Sequence, residues 1–367
     1  LQSYNGGMPE QPTSRRQFLA GQSAAEALSG VGEQILPEGA EPSRRAAMLT
    51  LSRRAMACEF QVRLNASADQ NETAAAMAAL DAIERIEDRL TVYRDESEVI
   101  AINRRAAEGP VEVDPDILHL LNLAAQLHDE TAGAFDITSG PLSDAWGFSR
   151  RAGRLPRQDA IDAALDRVGG SRIQLDTSAS TVAFDGEGVE INFNSIGKGF
   201  ALDVAAGVLL EHNVDDFLLH GGRSTLVARG KPAEGAGGEH GWAVGVRDPV
   251  RPHQRIAECR LRDAAFSTSG SATQCFVVDG KRYGHLIDPR TGWPASGLHS
   301  VSVVAPTGAE ADAISTALYV MGFEAGEAFC RRRPEVQALF VLPAGGGAVD
   351  VRGVQLDSEC WRLRGGA

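Results

Sequence analysis

The sequence predicts an α+β fold in which antiparallel sheets carry packed helices. Two observations lead there. In the second half, short apolar runs at 217–219, 225–228 and 242–246 are separated by small-residue turns such as Gly221-Gly222. That is strand-turn-strand patterning, unlike the strand-helix alternation of a doubly wound parallel sheet. Around these runs lie stretches with helical spacing, among them 72–90, which places Leu80, Ile83, Ile86 and Leu90 on one side.

In chain order, residues 1–47 read as a tail, rich in Gly, Pro, Ser, Gln and Glu and without a sustained period. Within it, Ser14-Arg15-Arg16-Gln17-Phe18-Leu19 resembles a twin-arginine export signal, while the stretch 20–30 that follows is polar for an apolar signal core. A functional signal and a degenerate remnant both fit. The chain does not begin with Met, so the natural start can lie upstream. A single catalytic domain is expected over 48–367. Its first strand spans 55–64, with Phe60, Val62 and Leu64 alternating, and the helix 72–90 follows. A short helix running to Asn103 comes next. Asp114-Pro115 marks a helix start, a capping side chain followed by proline at the first helical position. That helix carries Leu118, Leu121 and Leu127 and stops before Gly133.

Residues 133–148 combine small, aromatic and acidic side chains with little periodicity, as a segment serving a site or a close contact would. A helix at 159–168 ends at Gly169-Gly170. A strand at 189–193 runs into the turn Asn194-Ser195-Ile196-Gly197-Lys198-Gly199 and then a helix at 200–211. Strand, small-residue turn and helix together aim backbone N–H groups at an anion, and Lys198 adds a full charge; the alternative is a solvated lysine in a tight turn. After the loop 230–241 and its return strand, alternation at 275–278 leads into Gly284-His285-Leu286-Ile287-Asp288-Pro289-Arg290-Thr291-Gly292. Asp-Pro-x-Thr-Gly is turn chemistry, and it delivers His285 at a strand end. A strand at 300–304, a helix at 309–321 closed by Gly322 and a last core strand at 336–342 complete the chain, with no internal repeat. On the 309–321 helix, Asp312 and Thr316 share a face. Asp312 satisfies the helix dipole there, or the two form a pair of hard oxygen donors suited to magnesium.

Composition narrows the function classes. The formal net charge of −13 argues against nucleic acid or an anionic membrane surface as the main partner. Five scattered cysteines with no CxxC pair suggest neither a disulfide framework nor a zinc site. No apolar run approaches the roughly 18 residues of a membrane span.

Taken together, these motifs resemble the FAD:protein FMN transferase (ApbE) family over roughly 55–342. The series is Met56; Tyr93 ahead of Ser97 and Asn103; 131–136 with Trp146-Gly147-Phe148; 195–203; Ser269-Gly270; 285–292; and Ala311-Asp312 through Thr316-Ala317-Leu318. The resemblance implies an ApbE-like α+β fold, FAD as substrate and Mg²⁺ as the required ion. It further implies transfer of FMN onto a Thr or Ser hydroxyl of an acceptor redox protein, with release of AMP. By the same resemblance, Met56, Tyr93, Ala134, Phe135, Asp136, Asn192, Lys198 and Ile287 contact the flavin nucleotide. Ser195, Asp312, Ser315 and Thr316 correspond to the magnesium site, some through backbone carbonyls. His285 is the candidate general base, or else a residue orienting Asp288 or the metal shell. Tyr93 and Phe135 suit a flavin or adenine ring and equally suit a core.

Four positions depart from the family pattern: Asn192 and Ser271 where Asp is usual, Arg223 where an acidic residue is common, and Cys58 in place of Thr. They keep two alternatives open, a Mg²⁺-dependent FAD pyrophosphatase giving FMN and AMP, and a flavin-binding protein without catalysis. The family resemblance and the twin-arginine-like string favour the periplasm or cell envelope; the polar stretch after it leaves the cytoplasm open.

Overall fold

The computed structural model describes residues 48–65, 70–150, 152–233, 240–270 and 274–364. The tail with its twin-arginine-like string and Ser271 lie outside them, as does half of the 230–241 loop. The chain opens with a hairpin, β1 (Met48–Ala55) and β2 (Cys58–Asn65). Helices α1 (Gln70–Leu90) and α2 (Glu98–Arg105) follow, then a short strand β3 (Val111–Glu112). Next come α3 (Pro115–Glu130), α4 (Gly140–Ala145) and α5 (Gln158–Leu165), and the strands β4 (Ile173–Asp176) and β5 (Thr181–Phe184). Helix α6 (Gly197–Glu211) precedes β6 (Phe217–Gly221), β7 (Thr225–Arg229), β8 (Trp242–Arg247), β9 (Arg255–Leu261) and β10 (Ala264–Gly270). A second hairpin, β11 (Cys275–Val278) and β12 (Lys281–Gly284), leads to β13 (Ser300–Ala305) and α7 (Gly308–Arg332). The described chain ends in β14 (Gln337–Pro343), β15 (Val349–Val354) and β16 (Trp361–Leu363).

The architecture is α+β, as the turn spacing predicts. Eight strands form one sheet in the order β1-β2-β6-β7-β10-β13-β14-β15, and every neighbouring pair is antiparallel. Period-two alternation splits its side chains between two cores. Leu219, Val227, Ala265, Val303 and Phe340 face a main core shared with α1, α3, α6 and α7. Leu218, Leu226, Phe266, Val304 and Leu339 face the other way, against β8, β9 and Trp361 of β16. With both faces covered, β13 is buried along its whole length. Among the described residues, no helix is long and apolar enough to cross a membrane.

Several expectations are refined. The single strand at 55–64 is in fact a hairpin whose two-residue turn is Met56-Ala57, both with left-handed backbones (φ 47° and 57°). Such turns are announced in sequence by Asn-Gly, and Met-Ala carries no such signal. Residues 189–193 join no sheet. Instead the Asn103 side chain takes the place of a strand partner, donating to Ile191 O (2.9 Å) and accepting from Ile191 N (2.8 Å). Helix α6 begins at Gly197, which puts Lys198 inside its first turn. Gly322 does interrupt α7 (φ 80°), although helical structure resumes beyond it. The strand expected to be last is followed by β15, which pairs with it, and by β16.

Candidate functional site

The N-termini of α6 and α7 meet at backbone distance, and the site begins there. A Cβ on Gly199 would lie 1.9 Å from Gly308 O, so only glycine permits the approach. Asp203 of α6 caps α7, accepting from Gly308 N (2.7 Å) and Ala309 N (2.8 Å). Burial pushes its pKa up to about 6 against the pull of those two N–H groups.

One turn into α7, Asp312 is 4% exposed. Lys198 Nζ lies 3.2 and 3.1 Å from its two carboxylate oxygens, and Gly199 N donates to Oδ2 at 3.2 Å. The hydroxyls of Thr225 on β7 and Ser267 on β10 both donate to Oδ1 at 3.2 Å. Beside this carboxylate, Ser269 Oγ lies 2.8 Å from Ser315 Oγ and 3.1 Å from Thr316 Oγ1, and both α7 hydroxyls donate to the Asp312 carbonyl. The result is a compact set of hard oxygen atoms with one cation on it.

Across the cavity, the loop after β12 holds His285. Its own N–H and its ring Nδ1 both lie 3.1 Å from Gln274 O. A carbonyl only accepts, so Nδ1 carries the proton and Nε2 keeps the lone pair. Burial lowers the imidazole pKa; the Gln274 bond opposes this and the Lys198 charge adds to it, so the ring is neutral near pH 7. The loop is held by its own turn. Arg290 grips the Asp288 carboxylate in bidentate fashion (2.8 Å twice), and Gly292 N donates to Asp288 O at 2.8 Å. Beneath it is a third apolar cluster of Leu142, Trp146, Phe148, Ile161, Tyr283 and Ile287, from which Trp146 Nε1 donates to Gly292 O at 2.8 Å. His285 bonds Gln274 and not Asp288, whose carboxylate is taken by Arg290.

Between these walls lies a cavity of about 920 Å³, within the upper range of ligand sites. Of the residues singled out from sequence, Met56, Tyr93, Ala134, Phe135, Asp136, Asn192, Ser195, Lys198, His285, Ile287, Asp312 and Thr316 line it. Ser315 does not: it is fully buried behind Ser269. Tyr93 stands at the mouth, 72% exposed, so it has no core role, whereas Phe135 is buried and only edges the wall. Asp136 acts as a fastener. It accepts from Thr138 N (2.7 Å), Thr138 Oγ1 (2.6 Å) and Gly170 N (2.8 Å), with His128 Nδ1 at 3.3 Å. Burial works to raise its pKa, but these hydrogen bonds prevail and hold it below the usual carboxylate range; the same pairing raises His128.

Sequence reasoning missed Thr225, Ser267 and Gln274. For the first two a signal existed: each is a hydroxyl residue directly beside a short apolar run, Leu226-Val227-Ala228 or Ala264-Ala265-Phe266, where a buried polar group must find a partner. Gln274 acts through its backbone carbonyl and leaves none.

Residues 56–340 match the family model described as the ApbE family. The FAD:protein FMN transferase of Treponema pallidum (strain Nichols) is 35% identical over 278 residues, which is 71% of this chain and 76% of that one. A relative of the same name from Escherichia coli (strain K12) is 30% identical over 249 residues, covering 66% and 70%. The crystal structure of an ApbE protein from Thermotoga maritima superposes with a TM-score of 0.74 at 31% identity, covering 83% of this chain and 96% of that chain. The apo flavinyl transferase ApbE of Pseudomonas stutzeri gives the same score at 26% identity, over 84% and 95%.

Proposed function

This chain belongs to the ApbE family, and on that premise we propose that it is a FAD:protein FMN transferase worked by the Asp312 and His285 walls of the cavity. FAD is the substrate, and FMN passes to a Thr or Ser hydroxyl of an acceptor redox protein. The observation that carries the reading is the opposition of a buried carboxylate-hydroxyl cluster with its lysine to a neutral histidine, across one cavity of about 920 Å³.

Each side chain then has a task. The acceptor hydroxyl oxygen forms a bond to the FMN phosphorus, and the bond to the bridging pyrophosphate oxygen breaks. AMP leaves with that oxygen and its electron pair. Nε2 of His285 takes the hydroxyl proton, which a buried neutral imidazole can do near pH 7. Lys198 offsets charge on the phosphate oxygens as the bond breaks. Met56, Tyr93, Ala134, Phe135 and Asn192 flank the nucleotide, and Ile287 closes the wall beside the base. Asp136 serves by fixing the 134–138 segment against Gly170.

The donor set also fits magnesium. Among the described residues no group of three or more His, Cys, Asp or Glu could cage a metal, but magnesium needs only one or two carboxylates beside phosphate and water. Asp312 and Thr316 would hold it from α7, with Ser195 in the turn before α6 and Ser315 supporting from behind. When bound, it supplies positive charge to the pyrophosphate oxygens.

The test is incubation with FAD, Mg²⁺ and a candidate acceptor, followed by denaturing electrophoresis. Flavin fluorescence that stays with the acceptor is expected. Free FMN and AMP alone would instead make the protein a pyrophosphatase, and no AMP release at all would leave only flavin binding.

A further inference from the structure

Asp312 is surrounded by more donors than its carboxylate has room for. Oδ1 accepts from Lys198, Thr225 and Ser267, and Oδ2 from Lys198 and Gly199 N. A carboxylate offers about four lone-pair positions, so the protein already fills them. Any cation that uses this carboxylate has to displace a donor. Thr225 and Ser267 are fully buried on paired strands, and Gly199 N is pinned where α6 meets the Gly308 backbone. Lys198 differs from all three. Its charge sits on a flexible stem, its side chain is 24% exposed toward the cavity, and its ammonium would repel an incoming dication.

We propose that Lys198 is a placeholder for the cation: the Lys198–Asp312 ion pair and a metal at Asp312 exclude each other, and the displaced ammonium turns to the pyrophosphate of FAD. This rests on the function proposed above and adds an energetic order to it. Metal alone binds weakly because it must break the pair. A phosphate group that engages the lysine therefore tightens metal binding, and by linkage the metal tightens nucleotide binding by the same factor.

The exchange can be read without acceptor or turnover. Mn²⁺ serves as the metal probe, followed by electron paramagnetic resonance, and ADP as the phosphate probe. In the wild type, ADP should tighten Mn²⁺ binding. In Lys198→Met, Mn²⁺ alone should bind about fivefold tighter or more, the low end of ordinary coupling between sites, while ADP binds more weakly. A second measurement leaves Lys198 in place. Lys198, Lys231 and Lys281 are the only lysines in the chain. With ¹³Cε-labelled lysine, Lys231→Arg and Lys281→Arg identify the Lys198 signal by elimination. Mg²⁺ alone, added to saturation, should move that signal. Mn²⁺ binding no tighter in folded Lys198→Met, or a Lys198 signal unmoved while Asp312→Asn abolishes Mn²⁺ binding, overturns the exchange and leaves the transferase reading standing. Unchanged Mn²⁺ binding in Asp312→Asn overturns the exchange together with the magnesium assignment.

Discussion

Helix α6 contains two glycines for which the same substitution should act with opposite sign. At Gly207 a new Cβ meets nothing within 4 Å, so Gly207→Ala gains helix propensity, about 0.8–1 kcal/mol. At Gly199 the Cβ would fall 1.9 Å from Gly308 O, 2.2 Å from Gly308 C and 2.7 Å from Ala309 N. Ordinary contact begins near 3.4 Å, so the helix termini must separate by more than an ångström, and no rotamer can relieve a clash with backbone. Overpacking alone costs about 1–3 kcal/mol or more. Separation also strains the two charge-assisted bonds from Gly308 N and Ala309 N to Asp203, each worth about 1.5–3 kcal/mol. Set against the same propensity gain, Gly199→Ala should lose about 3 kcal/mol or more. For a domain of this size that is a fall in Tm of roughly 6 °C, against a rise of about 2 °C for Gly207→Ala. Calorimetric scans of both variants beside the wild type decide the matter. The close approach of α6 and α7 would be refuted if Gly199→Ala melted within a degree of Gly207→Ala.

Burial depresses the pKa of His285 and the proposed mechanism uses its neutral form, so the acid limb of kcat/KM for FAD should fall below pH 6.5 with a plateau above it. A limb centred above pH 7 would contradict the tautomer assignment. Lys198→Met removes a charge that lowers this pKa, so in whatever activity remains the limb should move upward. Asp136→Ala strips the Thr138 and Gly170 groups of their acceptor, and a loss of about 2–4 kcal/mol is expected in denaturant unfolding, with weaker FAD binding by fluorescence titration. The contribution of Asp136 is present above the ordinary carboxylate pKa of about 4 and vanishes as pH falls through its lowered value, so the variant and wild type should converge in strong acid. Trp146→Ala empties the third cluster and removes the bond to Gly292 O, costing about 3–5 kcal/mol and lowering kcat more than it raises KM for FAD. Unchanged kcat would show that the loop needs no platform.

What the sequence revealed and concealed follows from how local each signal is. Asp114-Pro115 and the stripe on α1 announce themselves within a few residues, and the cap at Asp114 forms as read, accepting from Asp116 N at 3.0 Å. Turn chemistry at 288–292 is equally local and appears as the Asp288–Arg290 clasp. Other features depend on partners far along the chain. Residues 189–193 have strand patterning, yet Ile191 bonds the Asn103 side chain, 88 positions away, and Asn192 N donates to Ile137 O, and no window of sequence displays that choice. Met56-Ala57 adopts a turn that its residue types do not favour, because the pairing of β1 with β2 imposes it. Strands β15 and β16 lie at sheet edges and escaped notice because edge strands carry charged residues among few apolar ones.

The two walls of the cavity belong to different cores, and the short segment 285–287 joins them. Leu286 packs against the main core beneath α6 and α7, while Ile287 is buried in the third cluster with Trp146 and Tyr283. Alternation thus turns neighbouring side chains toward opposite supports and leaves His285 between the β12 hairpin and the cavity. An imidazole held in this way has little freedom to rotate, since its ring nitrogen and its backbone N–H share one carbonyl acceptor. Asp312, by contrast, depends on β7, β10 and the first turn of α6. Damage to the aromatic cluster should therefore reach the proton-transfer step without touching the carboxylate, whereas damage at Gly199 should displace Lys198 and Asp312 together. That separation is why Trp146→Ala and Gly199→Ala ought to differ in kind: the first should retain Mn²⁺ binding through Asp312 and the second should lose it.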